Sequence, residues 1–219
     1  MREFDTIYLC WRKGQSSRRF IVGILKETSD NKYVFNYLPT EIEKARKEGF
    51  SPYTEFPEIH QEYNSNVVDI FAQRLIKSVR PDIQSFYDFW EIDKDSIEDK
   101  FYLLGHTQGL LPTDNFEFLA DYKPMPGLHF LTDLAGLSHL QISPDEVHKG
   151  DVLTFKTEPE NEFDKEAVFV EKEGKKIGYI KKIHCRLFYK PGAEHIKLQI
   201  KAIEKNGVVK RIFVKVYIG

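Results

Sequence analysis

The chain has 219 residues, 41% of them hydrophobic and 30% charged, with 32 Lys and Arg against 34 Asp and Glu and a net charge of −2. This composition excludes a disordered chain, and the length predicts two domains. A nearly neutral molecule has no overall positive field, so any binding to nucleic acid must be local. The sequence shows neither a signal peptide nor an apolar run long enough to cross a bilayer, so we expect a cytoplasmic protein without a membrane partner.

The first predicted elements are strands. Three β-branched and aromatic runs, Thr6–Trp11, Phe20–Leu25 and Lys32–Tyr37, are separated by polar turns at 14–17 and 29–31 and predict a small antiparallel meander. A short helix follows, which we expect to be capped by Thr40 and to stop at Gly49.

Three more helices are predicted in the first half of the chain. Apolar residues recur at helical spacing from Asn66 until Arg80, where Pro81 ends the pattern. A second helix is expected over Phe86–Trp90 and a third after Asp95. Residues 1–124 are therefore predicted to form an α+β domain.

The stretch 119–128 is rich in Pro and Gly and predicts a connector, so we place the domain boundary between residues 124 and 125. The alternation of the remaining chain predicts a β-domain, residues 125–219, with one short helix at Lys181–Tyr189. The predicted strands are Val152–Lys156, Ala167–Lys172, Lys176–Ile180, His195–Glu204 and Val208–Ile218. Turn residues Glu173-Gly174 and Asn206-Gly207 predict hairpins.

No motif for independent chemistry is present. The seven histidines are scattered without metal-ligand spacing, and Cys10 and Cys185 lie in apolar contexts that predict buried free thiols. We therefore assign no catalytic residue, no metal site and no cofactor, and we expect a binding protein that is not an enzyme.

The segment Lys149–Lys182 resembles the HIRAN domain. The pattern is Gly-Asp-x-Leu, then Glu-Pro-x-Asn-x-aromatic-Asp, then Gly-Tyr-Ile. The residues that carry it are Glu158, Pro159, Asn161, Phe163, Asp164, Ala167, Gly178 and Tyr179. The resemblance implies a small β-barrel that binds single-stranded DNA and holds a free 3′ end.

The resemblance also implies roles for single residues. Asn161, Phe163 and Asp164 fall on the loop where the family stacks a terminal base on an aromatic ring and binds the 3′-hydroxyl with a carboxylate. Tyr179 and Lys182 fall where the family places a ring and a cation for phosphate.

One stretch departs from the family pattern. DNA-binding members carry an Arg and two Tyr on the first strand, and Ser138-His139-Leu140 stands there in this sequence. We count His139 among the candidate DNA-binding residues, and we expect weaker capture of a 3′ end because an arginine and two rings are missing.

The acidic loop has a second, purely structural interpretation. Asn161 and Asp164 could bond to nearby backbone amides while Phe163 fills the barrel. The two interpretations differ in the direction of the Phe163 ring.

The first domain resembles the N-terminal subdomain of HipA-type proteins over Phe56–Ile83 and Phe101–Phe118. The residues that carry this resemblance are Arg74, Leu75, Arg80, Pro81, Gly109, Pro112, Asp114 and Phe118. In that family the subdomain docks on a Ser/Thr kinase, and in split toxin–antitoxin systems it is a separate chain that controls the kinase. The kinase motifs themselves are absent from this sequence.

The sequence thus predicts a two-domain bacterial protein that acts by binding. In the first hypothesis the HIRAN-like domain binds single-stranded DNA or DNA 3′ ends, and the N-terminal domain is a protein-interaction module. In the alternative, the chain is an antitoxin-like regulator of a HipA-type kinase supplied by another chain.

Overall fold

The computed structural model describes residues 2–14, 17–30, 32–140 and 142–219. Gln15, Ser16 and Asn31 of the predicted turns lie outside the described residues. The chain divides into two units, Arg2–Asp121 and Tyr122–Gly219. The boundary predicted from the sequence, between residues 124 and 125, lies three residues further along the chain.

The first unit contains a four-stranded antiparallel sheet. Its strands are β1 (Thr6–Trp11), β2 (Phe20–Glu27), β3 (Tyr33–Tyr37) and β4 (Phe116–Ala120), in the order β3-β2-β1-β4. No strand was predicted at β4. It pairs with β1 and makes β1 a central strand, and three consecutive positions of β1 and four of β4 are buried, so both faces of the sheet are covered there.

The helices of this unit are α1 (Pro39–Arg46), α2 (Val67–Phe71), α3 (Ile83–Trp90) and α4 (Lys100–Thr107). Thr40 does not cap α1, because Pro39 occupies the first turn and Leu38 the cap position. Asp99 caps α4 by accepting a hydrogen bond from the N–H of Tyr102 at 3.0 Å, so this helix begins later than predicted.

The predicted helix from Asn66 to Arg80 is wrong in its length. The α-helix ends at Phe71, a 3-10 turn follows over Ala72–Arg74, and Leu75 is extended with ψ 148°. The Arg74 side chain explains the break, since it is drawn into a buried site formed by residues far along the chain.

Four residues of the HipA-like pattern meet at that buried site. The Arg74 guanidinium donates to both oxygens of Asp114, at 2.5 and 2.7 Å, and to the Gly109 carbonyl at 2.8 Å. The centre of the Phe118 ring lies 5.5 Å from the guanidinium carbon of Arg74. The pattern therefore describes a buried, bidentate ion pair that stabilises the first unit.

The second unit contains a six-stranded antiparallel sheet in the order β5-β10-β9-β6-β7-β8. The strands are β5 (His129–Asp133), β6 (Val152–Thr157), β7 (Val168–Lys172), β8 (Lys175–Tyr179), β9 (Ile196–Asn206) and β10 (Val208–Ile218). Glu173 and Gly174 have φ of 51° and 81°, as their hairpin signal predicts. The predicted helix Lys181–Tyr189 is α5 (Lys182–Cys185) continued by a 3-10 turn.

This sheet curls until its two edge strands meet. Ala135, just after β5, and Tyr179, at the end of β8, exchange two backbone hydrogen bonds of 2.8 and 2.9 Å. Gly178 permits this approach, because a Cβ there would lie 2.8 Å from Cβ of Leu134. The unit is thus a curled half-barrel closed by one bridge, in agreement with the barrel-like β-domain predicted from the sequence.

Candidate nucleic-acid interface

A short loop joins β6 to β7 at one end of the curled sheet. The chain leaves β6 after Thr157 and returns at Val168. The N–H of Glu158 donates to the Ala167 carbonyl at 2.8 Å, and the N–H of Ala167 donates to the Asp164 carbonyl at 3.0 Å. These bonds close the loop at its base, so its tip is presented by rigid strands.

Asn161 organises the loop from within. Its Oδ1 accepts hydrogen bonds from the backbone N–H groups of Phe163 and Asp164, both at 3.0 Å. Its Nδ2 donates to the carboxylate of Glu158 at 2.6 Å. Asn residues favour such local turns because their short side chain reaches the backbone two or three residues ahead. The side chain is therefore fixed on both sides.

Glu158 connects the loop to β8. Its carboxylate accepts hydrogen bonds from Lys176 Nζ and from the Tyr179 hydroxyl, both at 3.0 Å. The hydrogen bonds from Asn161 and then from Lys176 and Tyr179 hold the pKa of Glu158 below its ordinary value. The ammonium of Lys176 also lies 4.2 Å from the ring centre of Phe169. We call Glu158, Asn161, Lys176 and Tyr179 the anchor network.

The Phe163 ring points away from the sheet. Its relative exposure is 91%, although its own backbone N–H is bound by Asn161. The structural interpretation in which Phe163 fills the barrel is therefore wrong. Burying a phenyl group is worth about 1.5–3 kcal/mol, so an ordered loop that exposes one offers a large apolar contact to a ligand.

Asp164 lies beside Lys182. One carboxylate oxygen accepts the backbone N–H of Glu166 at 3.1 Å, and the other lies 4.0 Å from Lys182 Nζ. The interpretation in which Asp164 bonds to a nearby backbone amide is therefore confirmed for one carboxylate oxygen. The other oxygen and the half-exposed ammonium face each other near the start of α5.

Tyr179 is held at both ends. Its hydroxyl donates to Glu158 and accepts from Lys176 at 3.0 Å, and its ring packs against Gly136, where a Cβ would lie 3.2 Å away. The ring is half-buried and faces Phe169 across the strands, with ring centres 6.5 Å apart. The Tyr179 ring can still contact a ligand, whereas its hydroxyl is already bonded within the anchor network.

His139 is not on a strand. The first strand of the unit is β5, and the segment Leu137–His139 forms an exposed 3-10 turn. Gly136, with φ 77°, ends the extended segment before this turn. The placement of Ser138-His139-Leu140 on the first strand was therefore wrong, and the role of His139 in DNA binding stays a prediction.

Sequence reasoning missed two residues of this surface, Lys176 and Phe169. The signal for Phe169 was present, because Val168 and Val170 on either side of it are buried and side chains alternate along a strand. Lys176 does not follow this rule, because it lies three positions from Tyr179 and reaches the same side only through the register shift between the pairs Val170–Gly178 and Glu171–Lys176. Of the predicted residues, the structure brings Asn161, Phe163 and Asp164 together on one loop.

Within the described residues, no three His, Cys, Asp or Glu side chains are grouped as a metal site would require. Both cysteines are buried, and burial raises the pKa of the Cys185 thiol to about 12. None of the described helices has the length and apolar character to cross a bilayer.

Comparison with known proteins finds a family match within the second unit. Residues 128–205 match the family model of the HIRAN domain. Among solved structures, the HIRAN domain of human HLTF aligns with 18% identity and a TM-score of 0.33, covering 40% of this chain and 74% of that one. No curated protein matches the chain. These comparisons lend no support to the HipA resemblance of the first unit, which stays a prediction.

Proposed function

We propose, taking residues 128–205 as a HIRAN domain, that this chain binds nucleic acid through the Phe163 loop and that its ligand is single-stranded DNA with a free 3′ end. The family match supports DNA binding in general. The observation that carries the proposal is the Phe163 ring, 91% exposed on a loop whose backbone is held by Asn161.

An exposed, fixed ring is suited to an unpaired base. Stacking of a base on an aromatic side chain is worth about 1–3 kcal/mol and does not depend on base identity. Because the anchor network already orders the loop, little conformational entropy is lost when a ligand binds. Paired bases cannot reach the ring in this way, so the ligand is single-stranded.

The neighbouring charges favour the end of a strand over its middle. Residues 158–166 contain five carboxylates and one lysine, which repel a phosphate on either side of the stacked base. The oxygen of Asp164 that faces Lys182 accepts a hydrogen bond from a terminal hydroxyl, and Lys182 binds the preceding phosphate.

Fluorescence anisotropy tests this function. Labelled oligonucleotides of one sequence carry either a 3′-hydroxyl or a 3′-phosphate, and the chain is titrated at low salt. We expect binding of the 3′-hydroxyl form, weaker binding of the 3′-phosphate form, and a loss of about 5- to 150-fold in affinity for Phe163→Ala, which corresponds to one stacked base.

Val79→Ala is the matched control, because Val79 is an apolar side chain of the first unit that is 86% exposed. Equal affinity for both ends contradicts the 3′-specific form of the proposal. Absence of binding at low salt contradicts nucleic-acid binding itself.

For the first unit we propose a protein-interaction role without catalysis. In α3 only Trp90 is buried, and Ile83, Phe86 and Phe89 are half-exposed. An apolar helix face of this kind favours a protein contact. The antitoxin-like alternative names a HipA-type kinase as the partner.

Co-expression with a HipA-type kinase followed by size-exclusion chromatography tests this alternative. We expect co-elution that is lost in Phe86→Ser and retained in the control Val208→Ser, since Val208 is an exposed apolar residue of the second unit. Separate elution of the two wild-type chains contradicts the alternative.

A further inference from the structure

A helical segment lies alongside the Phe163 loop. It consists of α5 and the 3-10 turn that continues it as far as Tyr189. Lys182 and Tyr189 are exposed and Arg186 is half-buried, whereas the side chains between them are buried. Because these three residues follow one another at helical spacing, they share the outward side of the segment, which we call the α5 face.

The α5 face contacts the part of the loop that returns to β7. The carboxylate of Asp164 lies 4.0 Å from Lys182 Nζ, and the carboxylate of Glu166 lies 3.8 Å from Arg186 Nε. Each of these two acids therefore faces a cation of the α5 face.

Tyr189 makes the third contact in this row. Its hydroxyl donates a hydrogen bond to the Ala167 carbonyl at 3.2 Å, where the loop rejoins β7, yet its relative exposure is 43%. Among the described residues, Phe163 and Tyr189 are the two most exposed of the Phe, Trp and Tyr side chains. The two most accessible aromatic side chains are thus held at the same loop.

The two aromatic residues are close enough to contact one short strand. Phe163 lies four positions before Ala167, so the Cα atoms of these two residues are at most about 14 Å apart at ~3.3–3.6 Å per residue. Stacked nucleotides follow one another at ~3.4 Å, so about four nucleotide steps cover this distance.

The surrounding charges indicate the side on which a strand leaves Phe163. Glu160 and Glu162 are exposed before the ring, and they repel a phosphate backbone. After the ring, the acids face Lys182 and Arg186 of the α5 face. A strand whose end lies at Phe163 therefore runs along the α5 face.

We propose that Tyr189 is a second stacking surface, which binds one base on the 5′ side of the base at Phe163. This inference rests on the function proposed above and extends its ligand from a terminal nucleotide to a short single strand. The hydrogen bond to Ala167 already orients the Tyr189 ring, so little side-chain entropy is lost when a base stacks on it.

An abasic scan locates the stacked bases. Fluorescence anisotropy is measured for an octanucleotide with a 3′-hydroxyl in which one nucleotide at a time lacks its base. For the wild-type chain we expect a loss of about 5- to 150-fold in affinity at the 3′-terminal position and again at one position between the second and the fifth from that end. This part of the test needs no variant.

Tyr189→Leu links the internal position to the ring. We expect this variant to bind the intact octanucleotide about 5- to 150-fold more weakly, and the internal abasic nucleotide then to cause no further loss. Tyr189→Phe is the matched control, because it loses the same hydrogen bond to Ala167 and keeps the ring. We expect it to retain the affinity and the abasic pattern of the wild type.

The possible results separate this inference from the proposed function. If no internal position matters in the wild type, or if the same internal loss persists in Tyr189→Leu, the stacking role of Tyr189 is overturned and the Phe163 site stands. Equal weakening by Tyr189→Phe and Tyr189→Leu also overturns it, since the hydroxyl bond to the loop then explains the effect. Failure of the wild-type chain to bind the intact octanucleotide overturns both proposals.

Discussion

At the scale of single residues, the site depends on Asn161 and Glu158, which bind different partners. Asn161 binds the backbone of Phe163 and Asp164, and Glu158 ties Asn161 to Lys176 and Tyr179. The side chains of Asn161 and Glu158 are thus bonded within the anchor network, and Phe163 is the large exposed apolar side chain of the loop.

This network predicts a pH dependence of stability. The pKa of Glu158 is lowered in the folded chain, chiefly by the hydrogen bonds from Asn161 and Lys176. A lowered pKa contributes stability that is fully present above the ordinary value of 4.5 and is lost as the pH falls through the lowered value. Glu158→Gln should therefore flatten the pH dependence of unfolding below about pH 4.5.

Urea unfolding of wild type and Glu158→Gln between about pH 3 and 6 measures this difference. Parallel curves for the two chains over that range would show that the carboxylate is not linked to folding as the hydrogen bonds indicate.

At the scale of elements, the bridge between Ala135 and Tyr179 gives the second unit its curl. It joins the ends of β5 and β8, and it places Gly136 against the Tyr179 ring. The β6–β7 loop and its anchor on β8 are therefore positioned by the closure of the sheet, and not by the loop sequence alone.

Gly178→Ala tests the bridge. The added Cβ would meet Leu134 Cβ at 2.8 Å and force the strands apart, so we expect the second unit to lose about 1–3 kcal/mol of unfolding free energy. Gly14→Ala is the control, since its Cβ would meet only Ser17 Oγ at 3.9 Å. Equal stability of the two variants would mean that the bridge contributes nothing.

The elements differ in how far the sequence predicts them. Alternation locates β6 to β10 of the second unit closely, because one face of each strand is buried, whereas β5 was not predicted. The helix from Asn66 was extended too far because Leu75 and Ile76 keep helical spacing, whereas the break depends on Asp114, forty positions after Arg74. Sequence periodicity cannot reveal a contact between residues that are forty positions apart in the chain.

In the candidate site, too, local features could be predicted from the sequence and long-range contacts could not. Asn161, Phe163 and Asp164 could be found from a local motif, and the direction of the Phe163 ring could not, because it depends on the bonds from Asn161. His139 was misplaced because the positive φ of Gly136 ends the strand early. The partnership of Glu158 with Lys176 joins two strands and needs the sheet register.

At the scale of the whole molecule, the two units carry different net charge, and we propose different roles for them. Residues 2–121 hold 15 basic and 21 acidic side chains, a net of −6, and residues 122–219 hold 17 and 13, a net of +4. Every residue of the proposed nucleic-acid site lies in Tyr122–Gly219. Changes to the first unit should therefore alter stability without altering the site.

Arg74→Leu tests this separation. It leaves Asp114, whose side chain is 30% exposed, without its bidentate partner, and losing a hydrogen bond to a charged group costs about 1.5–3 kcal/mol. We expect the first unit to unfold at lower urea concentration, while the folded chain binds the oligonucleotide with unchanged affinity. A loss of affinity under conditions where the chain is still folded would contradict this assignment.

The central claim is that the Phe163 ring is presented to a base, and Phe163→Trp tests it most directly. Trp11 and Trp90 are buried in the first unit, so an indole at position 163 would be the exposed emitter. We expect a 3′-hydroxyl oligonucleotide to quench this emission in Phe163→Trp, with little change in wild type. Binding of the oligonucleotide without any change in the new emission would contradict it.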